Sequence, residues 1–463
     1  MLFALEDREE NVGQELYALA TKLFPIHRSI TGDGVRETLR ILQSVAPVEI
    51  KEVPTGTQAF DWTVPAEWTI RDAFVKNVKS ERVIDWRKST LHVVNGSQPI
   101  NATVTWSELR QKLHTLPEQP TLVPYRTCFF KEDWGFCLSQ EDFDRLDAQG
   151  EQTYEAVIDA SVKNGALTYG EVYLPGETKD EVLISAHICH PSLANDNLSG
   201  ICVAAILANM LQSAPKRRLS YRFVFAPATI GAIVWLSQNQ HRLANIRHGL
   251  ILTLLGDKGQ LRYKQSRIGS AKIDQVVAHV LANSGAPYEI RPFTPVGYDE
   301  RQYCSPGINL PMGCLMRTPA GEFDEYHTSA DNLDFIHPDQ LASATQTILK
   351  ILGVLEADEY FINQKPFCEP KLGQYGLYES MPEQGDGAAL QEAVQWVLNF
   401  SDGNHSLFDI TQRSGVDFAV INDAATRLVA AGLLLRKNNS SKCGTGASLT
   451  NEQVRPNDRA AKR

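Results

Sequence analysis

The sequence predicts an α/β protein: a mixed, mostly parallel sheet flanked by helices, with a small β-rich insert and a C-terminal winged helix. Three observations carry this. From Tyr154 onward, strand-like and helix-like segments alternate, the order a parallel sheet requires. Two of the strands, "EVLISAHI" and "HGLILTLLGD", are near-continuous apolar runs, as strands buried on both faces are. After Lys365, a Pro- and Gly-rich linker leads into three helical segments and then strand-like pieces, the order of a winged helix.

Taken in order, residues 12–44 read as two helices. The second, "TGDGVRETLRILQSV", has Thr31 placed to cap it and Val35, Leu39, Ile41 and Leu42 as its apolar face. From Pro54 to about Leu113, apolar and polar residues alternate between Pro, Gly and Asn punctuation, which predicts the β-rich insert. "TLVPYRTCFF" and "WGFCLS" read as further strands. "YEAVIDASV" and "LTYGEVYLPG" read as the first strands of the large sheet, and "LSGICVAAILANMLQSA" as a helix with small residues facing it. "LDFIHPDQLASATQTILKILGVLEADEYF" closes the large domain with a long helix. The domains predicted are 1–53 with 114–360, the insert at 54–113, and the winged helix at 372–448, where "LLLRK" and "CGTGASLT" supply the wing and "NEQVRPNDRAAKR" a disordered tail.

The chain has 463 residues, enough for two or three domains, and a net charge of −10. That charge disfavours whole-chain attraction to nucleic acid or an anionic membrane. No apolar segment is long enough to span a bilayer. The first residues lack a signal peptide's basic start and apolar run, which predicts a cytoplasmic protein with reduced thiols. None of the eight cysteines forms a C-x-x-C pair.

The densest chemistry is "LISAHICHPSLANDNLSG". His187 ends a strand, and Asp196 sits in the loop before the next helix. Asp257 ends "LTLLGD", and His327 lies in the loop "GEFDEYHTSADN". Ligands of open α/β sheets bind beyond the carboxyl ends of strands. All four residues can therefore converge there. Imidazole nitrogens and carboxylate oxygens are zinc ligands, and three of them leave a position open for catalysis. His190 ranks below His187, because Pro191 restricts its backbone to extended geometry.

The stretch "AHICHPSLANDNLSG" resembles the strand–loop–helix of co-catalytic zinc aminopeptidases, where a His and an Asp in a "DNxSG" stretch bind metal. It is closer to a bacterial subgroup, the aminopeptidase-like proteins with an inserted β domain and a C-terminal winged helix. "GYDERQYCSPGINLP" and "EYHTSADN" extend the resemblance over residues 1–445. It implies zinc at His187, Asp196 and His327, with Asp257 where the wider family places a ligand of a second metal.

The departure is at "VFAPATIGAIVWL". Two-zinc peptidases carry two glutamates here, a general base and then a ligand, and the subgroup keeps the base and has threonine for the ligand. This chain has Ala228 at the base position and Thr229 at the ligand position. Loss of the ligand implies one Zn2+ per chain. Loss of the base removes a proton carrier that adds about 10² to 10⁴-fold to a rate. Ala228 is either natural or a Glu→Ala change, and both alternatives stand.

Asp299, Glu300 and Arg301 are candidates for binding substrate. An Arg can clamp a carboxylate and an acid can hold a free amino group. The competing reading is an internal salt-bridge cluster. Tyr326 is a candidate oxyanion donor, against simple packing. In the C-terminal domain, the recognition-helix segment "DFAVINDAATRLVAAG" carries Asp417 and Asp423 against Arg427 alone. From Leu372 onward there are nine Lys/Arg and ten Asp/Glu, which predicts a protein-contact or homo-oligomer module and no nucleic-acid binding. The sequence thus predicts a zinc-dependent aminopeptidase-like hydrolase of a peptide or aminoacyl substrate, with its base absent. The rival expectation is a non-enzymatic zinc protein that binds an amino-acid-like ligand.

Overall fold

The computed structural model describes residues 11–377 and 386–437. The expected wing strand "CGTGASLT" and the tail lie outside the described residues. The chain divides into two compact units, Met1–Glu356 and Ala357–Arg463.

The first unit is built on an eight-stranded mixed sheet. At its centre four strands run parallel: Ser220–Ala226, Glu181–His187, Ile246–Leu252 and Met312–Met316. The strands Glu181–His187 and Ser220–Ala226 are buried at every residue, which is why their sequences are apolar without alternation. Antiparallel strands Ala166–Leu174 and Glu49–Pro54 extend one side. Leu261–Lys264 and Tyr288–Arg291 extend the other. The helix Gly200–Ser213 follows directly on the loop that carries Asp196. Its first residue must be glycine, because a Cβ there would lie 2.3 Å from the Leu252 carbonyl oxygen. That contact seats the helix against the end of a central strand.

A second, four-stranded antiparallel sheet has the order Arg82–Asp85, Glu67–Lys76, Thr153–Lys163, Ile100–Thr105. Its core gathers Trp68, Trp106, Phe136 and Tyr154. The strand Thr153–Lys163 was expected in the large sheet, beyond the insert's limit at 113. It pairs on both sides within the smaller sheet, and buries Tyr154, Ala156, Ile158 and Ala160 there. Two-residue alternation identifies a strand but not its partners. "TLVPYRTCFF" forms isolated bridges only, and "WGFCLS" shortens to Phe136–Cys137. Thr31 does not cap its helix: Gly32 is the cap residue, and the Thr31 hydroxyl accepts from the Trp68 backbone N–H at 3.0 Å.

The second unit is a winged helix-turn-helix arrangement. Helices Asp386–Phe400, Leu407–Ser414 and Phe418–Ala430 accompany a sheet of Asp402–Ser406, Tyr360–Asn363 and Leu434–Arg436. Ser406 and Asp409 form a reciprocal capping box, and Gly415 ends that helix at φ 72°. The long helix expected to run through "EADEYF" stops at Ala357, and Tyr360–Asn363 becomes the middle strand of this sheet. The unit therefore begins before the linker-like segment rather than after it.

Candidate metal centre

The carboxyl ends of the parallel strands bring His187 and Ala226 level in register, and the loops beyond them build the site. His187 is buried at its strand end. The next loop returns His190 and then Asp196, which is wholly buried. The donor atoms of His187, His190 and Asp196 lie within 4.8 Å of one another. Asp196 presents its two oxygens to different imidazoles: Oδ1 lies 2.8 Å from His187 Nε2, and Oδ2 lies 3.0 Å from His327 Nε2. His190 Nε2 is 3.8 Å from Oδ2. The three expected ligands therefore do meet, and His190, ranked below them, joins. Extended geometry before Pro191 does not turn its side chain away.

Several groups hold this cluster. The Asp331 carboxylate accepts the backbone N–H groups of Asn195 at 2.6 Å and Asp196 at 3.0 Å. The buried Arg28 donates from Nε to the His190 carbonyl at 2.9 Å. Asn197 donates to the Leu252 carbonyl at 3.1 Å, tying the loop to the neighbouring strand. His327 adopts φ 57°, unusual for a non-glycine residue, and its carbonyl accepts the Tyr125 N–H at 2.7 Å. The Tyr298 ring stacks on His187 with centroids 5.3 Å apart. Sequence reasoning missed Asp331, Arg28, Tyr125 and Tyr298. Asp331 had a signal, a second "DN" pair at the end of the quoted "EYHTSADN".

Electrostatics follow from burial. Burial disfavours charge on Asp196, yet His190, His187 and His327 around it outweigh this and hold the carboxyl well below the usual range. Burial pushes His190 down to about 3, which keeps it a neutral imidazole, the form that binds metal. Burial raises Asp331 to about 8, against the backbone N–H groups it accepts.

The remaining candidates separate. Ala228 lies two residues past the strand end, and its carbonyl faces Cys189 Sγ at 3.7 Å. Thr229 Oγ1 accepts from Arg301 Nη2 at 3.3 Å. Asp299 is buried, its Oδ1 has no hydrogen-bond partner among the described residues, and burial raises it to about 7. Glu300 is wholly buried and ion-paired with Lys264, the internal arrangement rather than an open substrate contact. Tyr326 stacks on His327 with centroids 3.9 Å apart. Asp257 is turned from the cluster: it accepts from Asn195 Nδ2 at 3.0 Å, the Gly259 N–H at 2.7 Å and Thr318 Oγ1 at 2.6 Å.

Three imidazoles and one carboxylate form a donor set that fits zinc. A parallel sheet with this cluster at its carboxyl edge defines an aminopeptidase-like α/β protein. Residues 17–358 match a family model described as a domain of unknown function, DUF4910, and the chain belongs to that family. Residues 359–436 match a winged helix-turn-helix model. A Clostridium acetobutylicum protein described as "Putative polysaccharide biosynthesis protein with aminopeptidase-like domain" is 48% identical over 422 residues, covering 91% of this chain and 96% of that one. A crystal structure of a "putative peptidase" from the same organism is 45% identical, with a TM-score of 0.88 over 94% of this chain and 100% of that one. The fold is also that of BSAP, a zinc aminopeptidase from Bacillus subtilis, at 14% identity and a TM-score of 0.55 over 74% of this chain and 95% of that one.

Proposed function

We propose that the chain is a zinc-dependent aminopeptidase-like protein whose site is built to hydrolyse an amide bond, and that Ala228 removes its proton carrier. The convergence of His187, His190 and His327 on Asp196 carries this reading. Those four residues would hold one zinc. Zinc, when bound, supplies a Lewis acid that polarises a carbonyl and acidifies water. The protein's own groups do the rest. Arg28 and Asp331 fix the loop that carries His190 and Asp196. The pairing of Thr229 with Arg301 and of Asp257 with Thr318 supports a single metal site. Arg301 keeps a buried Nε without a partner among the described residues, a donor suited to a substrate carboxylate. Asp299, with its free Oδ1, suits a substrate amino group. A methyl at residue 228 can neither accept nor deliver a proton.

The substrate class is a peptide or an aminoacyl conjugate with a free amino end. The polysaccharide-biosynthesis description of the Clostridium relative favours the conjugate. A second reading, a zinc protein that binds an amino-acid-like ligand without turnover, is favoured by Ala228 itself. The deciding experiment assays the Ala228→Glu chain on a panel of aminoacyl and peptidyl substrates, with and without a chelator. Chelator-sensitive turnover supports the hydrolase. Tight ligand binding with no turnover in either form overturns it in favour of the second reading.

A further inference from the structure

A cavity of about 320 Å³ lies where the N-terminal segment meets the smaller sheet, and none of the cluster residues lines it. Its aromatic wall is Trp68 and Trp86, with His27 5.6 Å from each by ring centroid. Both indole N–H groups are used inside the protein: Trp68 Nε1 donates to the Ser97 carbonyl at 2.7 Å, and Trp86 Nε1 to His27 Nδ1 at 2.9 Å. Trp68 is 6% exposed and belongs to the core of the smaller sheet, so the apolar surface offered to the cavity is chiefly that of Trp86.

The facing wall is the first turn of the helix Asp33–Leu42. Its cap residue, Gly32 at φ 95°, provides no side-chain hydrogen bond, and Thr31 is occupied by Trp68. Unmet N–H groups at a helix start seek an acceptor. Ser29 also lines the cavity; it is 2% exposed, and its hydroxyl has no partner among the described residues. That hydroxyl is itself closed to solvent, so a ligand in the cavity does not reach it. At the rim stand Asp33, also in contact with Arg36 at 3.3 Å, and Glu37. Among the described residues, no Lys or Arg lines the cavity.

These features exclude the simpler ligands. An anion would face two carboxylates with no lining cation. A cation would face the positive end of a helix dipole. A purely apolar molecule would leave the first turn unmet. A neutral ring that carries hydroxyls and one apolar C–H face satisfies every wall. Its face lies on Trp86, some hydroxyls donate to Asp33 and Glu37, and others accept from the helix start. We propose that this cavity binds a saccharide unit. The volume, at the lower end of small-molecule sites of about 300–1,000 Å³, suits one ring. The proposal does not depend on the hydrolase reading.

The test is saturation-transfer NMR on the full chain, with glucose, galactose and N-acetylglucosamine as probes at millimolar concentration. Tetramethylammonium and inorganic phosphate serve as cation and anion controls, phosphate, which has no C–H proton, being read by its displacement of the sugar signal. Transfer to ring C–H protons of at least one sugar is expected. Trp86→Ala should weaken that binding by about tenfold through loss of the stacking face. Glu37→Gln, on an exposed side chain that folding does not need, should also weaken it, by about threefold to tenfold through loss of a charge-assisted hydrogen bond. The His187→Ala variant should bind the sugar unchanged. No transfer to any sugar overturns the proposal. So does preference for either control ion, equal binding in the Glu37→Gln variant, or loss of binding in His187→Ala, which would place the sugar at the histidine cluster.

Discussion

Nε2 of His327 lies 3.0 Å from Oδ2 of Asp196, across 131 residues of chain. The other oxygen of the same carboxylate faces His187 at 2.8 Å. One buried acid thus joins the end of a central strand to a loop delivered late in the domain. The His327 backbone is left-handed, a conformation that costs a non-glycine residue about 1–3 kcal/mol. The hydrogen bond from Tyr125 and the bridge between Pro124 and Thr328 hold it there.

Zinc content tests this assembly directly. About one zinc per chain is expected by elemental analysis, since one cluster gathers the donors. His190→Ala should lower zinc affinity by at least about tenfold in a chelator competition, because the structure places its imidazole among the ligands. A firm ratio of two zinc ions per chain would refute the single site. Unchanged affinity in His190→Ala would return that residue to a spectator.

Asp331 should prove nearly as important as a ligand. Its two oxygens receive the N–H groups of Asn195 and Asp196, and so set the direction of the metal carboxylate. Asp331→Asn keeps the shape but turns one acceptor into a donor facing an N–H. The expected cost is about 1–3 kcal/mol of stability. Zinc affinity should fall with it, by about 10- to 100-fold. Thermal unfolding and zinc titration on one preparation check both. A stable variant with full zinc affinity would show that the loop is held by other means.

The sequence made the ligand types and their strand-end placement legible, because His187 ends an apolar run and Asp196 precedes a helix of small residues. It could not show that His190 turns inward, since the Pro191 rule fixes backbone and not side-chain direction. Nor could it separate Asp257 from the cluster. Both lie at strand ends, and only the hydrogen bonds from Thr318 and Asn195 show that Asp257 is engaged elsewhere. The same limit misassigned Thr153–Lys163. Its alternating pattern suits either sheet, and pairing partners are long-range facts absent from local pattern.

Acid should destabilise the first unit through its enclosed histidines. Burial, aided by Arg28, lowers His27 to about 3 from an ordinary 6.5. Below pH 6.5 the unfolded chain takes up a proton that the folded chain does not. Stability from this residue is therefore full above 6.5 and is lost as pH falls toward 3, by about 1.4 kcal/mol per pH unit. His27→Gln, which retains an acceptor for Trp86, should flatten the fall in unfolding midpoint between pH 6 and 4 by that one-proton slope. An identical pH dependence in both chains would show that His27 titrates normally.

The C-terminal unit should not bind DNA. On the helix Phe418–Ala430, Arg427 is paired with Asp423 at 3.0 Å, so the helix presents little free positive charge. Arg413 lies over the Phe400 ring at 5.3 Å. Phosphate contact depends on basic side chains, and low salt is its most permissive condition. Titration with random duplex at low salt is expected to show no binding at micromolar protein. Binding there, abolished by deleting the residues after 372, would overturn this.

The sharpest expectation concerns Ala228. Ala228 lies past the strand Ser220–Ala226, beside the His187 strand, at the position where the sequence resemblance implies the base. Glu300 is ion-paired with Lys264 inside the protein and so is not placed to act as a base. Asp299 is a further buried carboxyl near His187, raised to about 7 by burial. If residue 228 is the missing carrier, Ala228→Glu should raise kcat by about 10² to 10⁴-fold on the right substrate. Zinc content should not change, because residue 228 is no ligand. Substrate affinity should be similar in both forms, since a base acts mainly in the transition state. Equal, substantial turnover in both chains would instead assign the base elsewhere. Asp299→Asn would then abolish that turnover if Asp299 were the base. Measuring kcat, ligand affinity and zinc for the unaltered chain and for the Ala228→Glu variant, with Asp299→Asn made in each, separates a missing base from a displaced one.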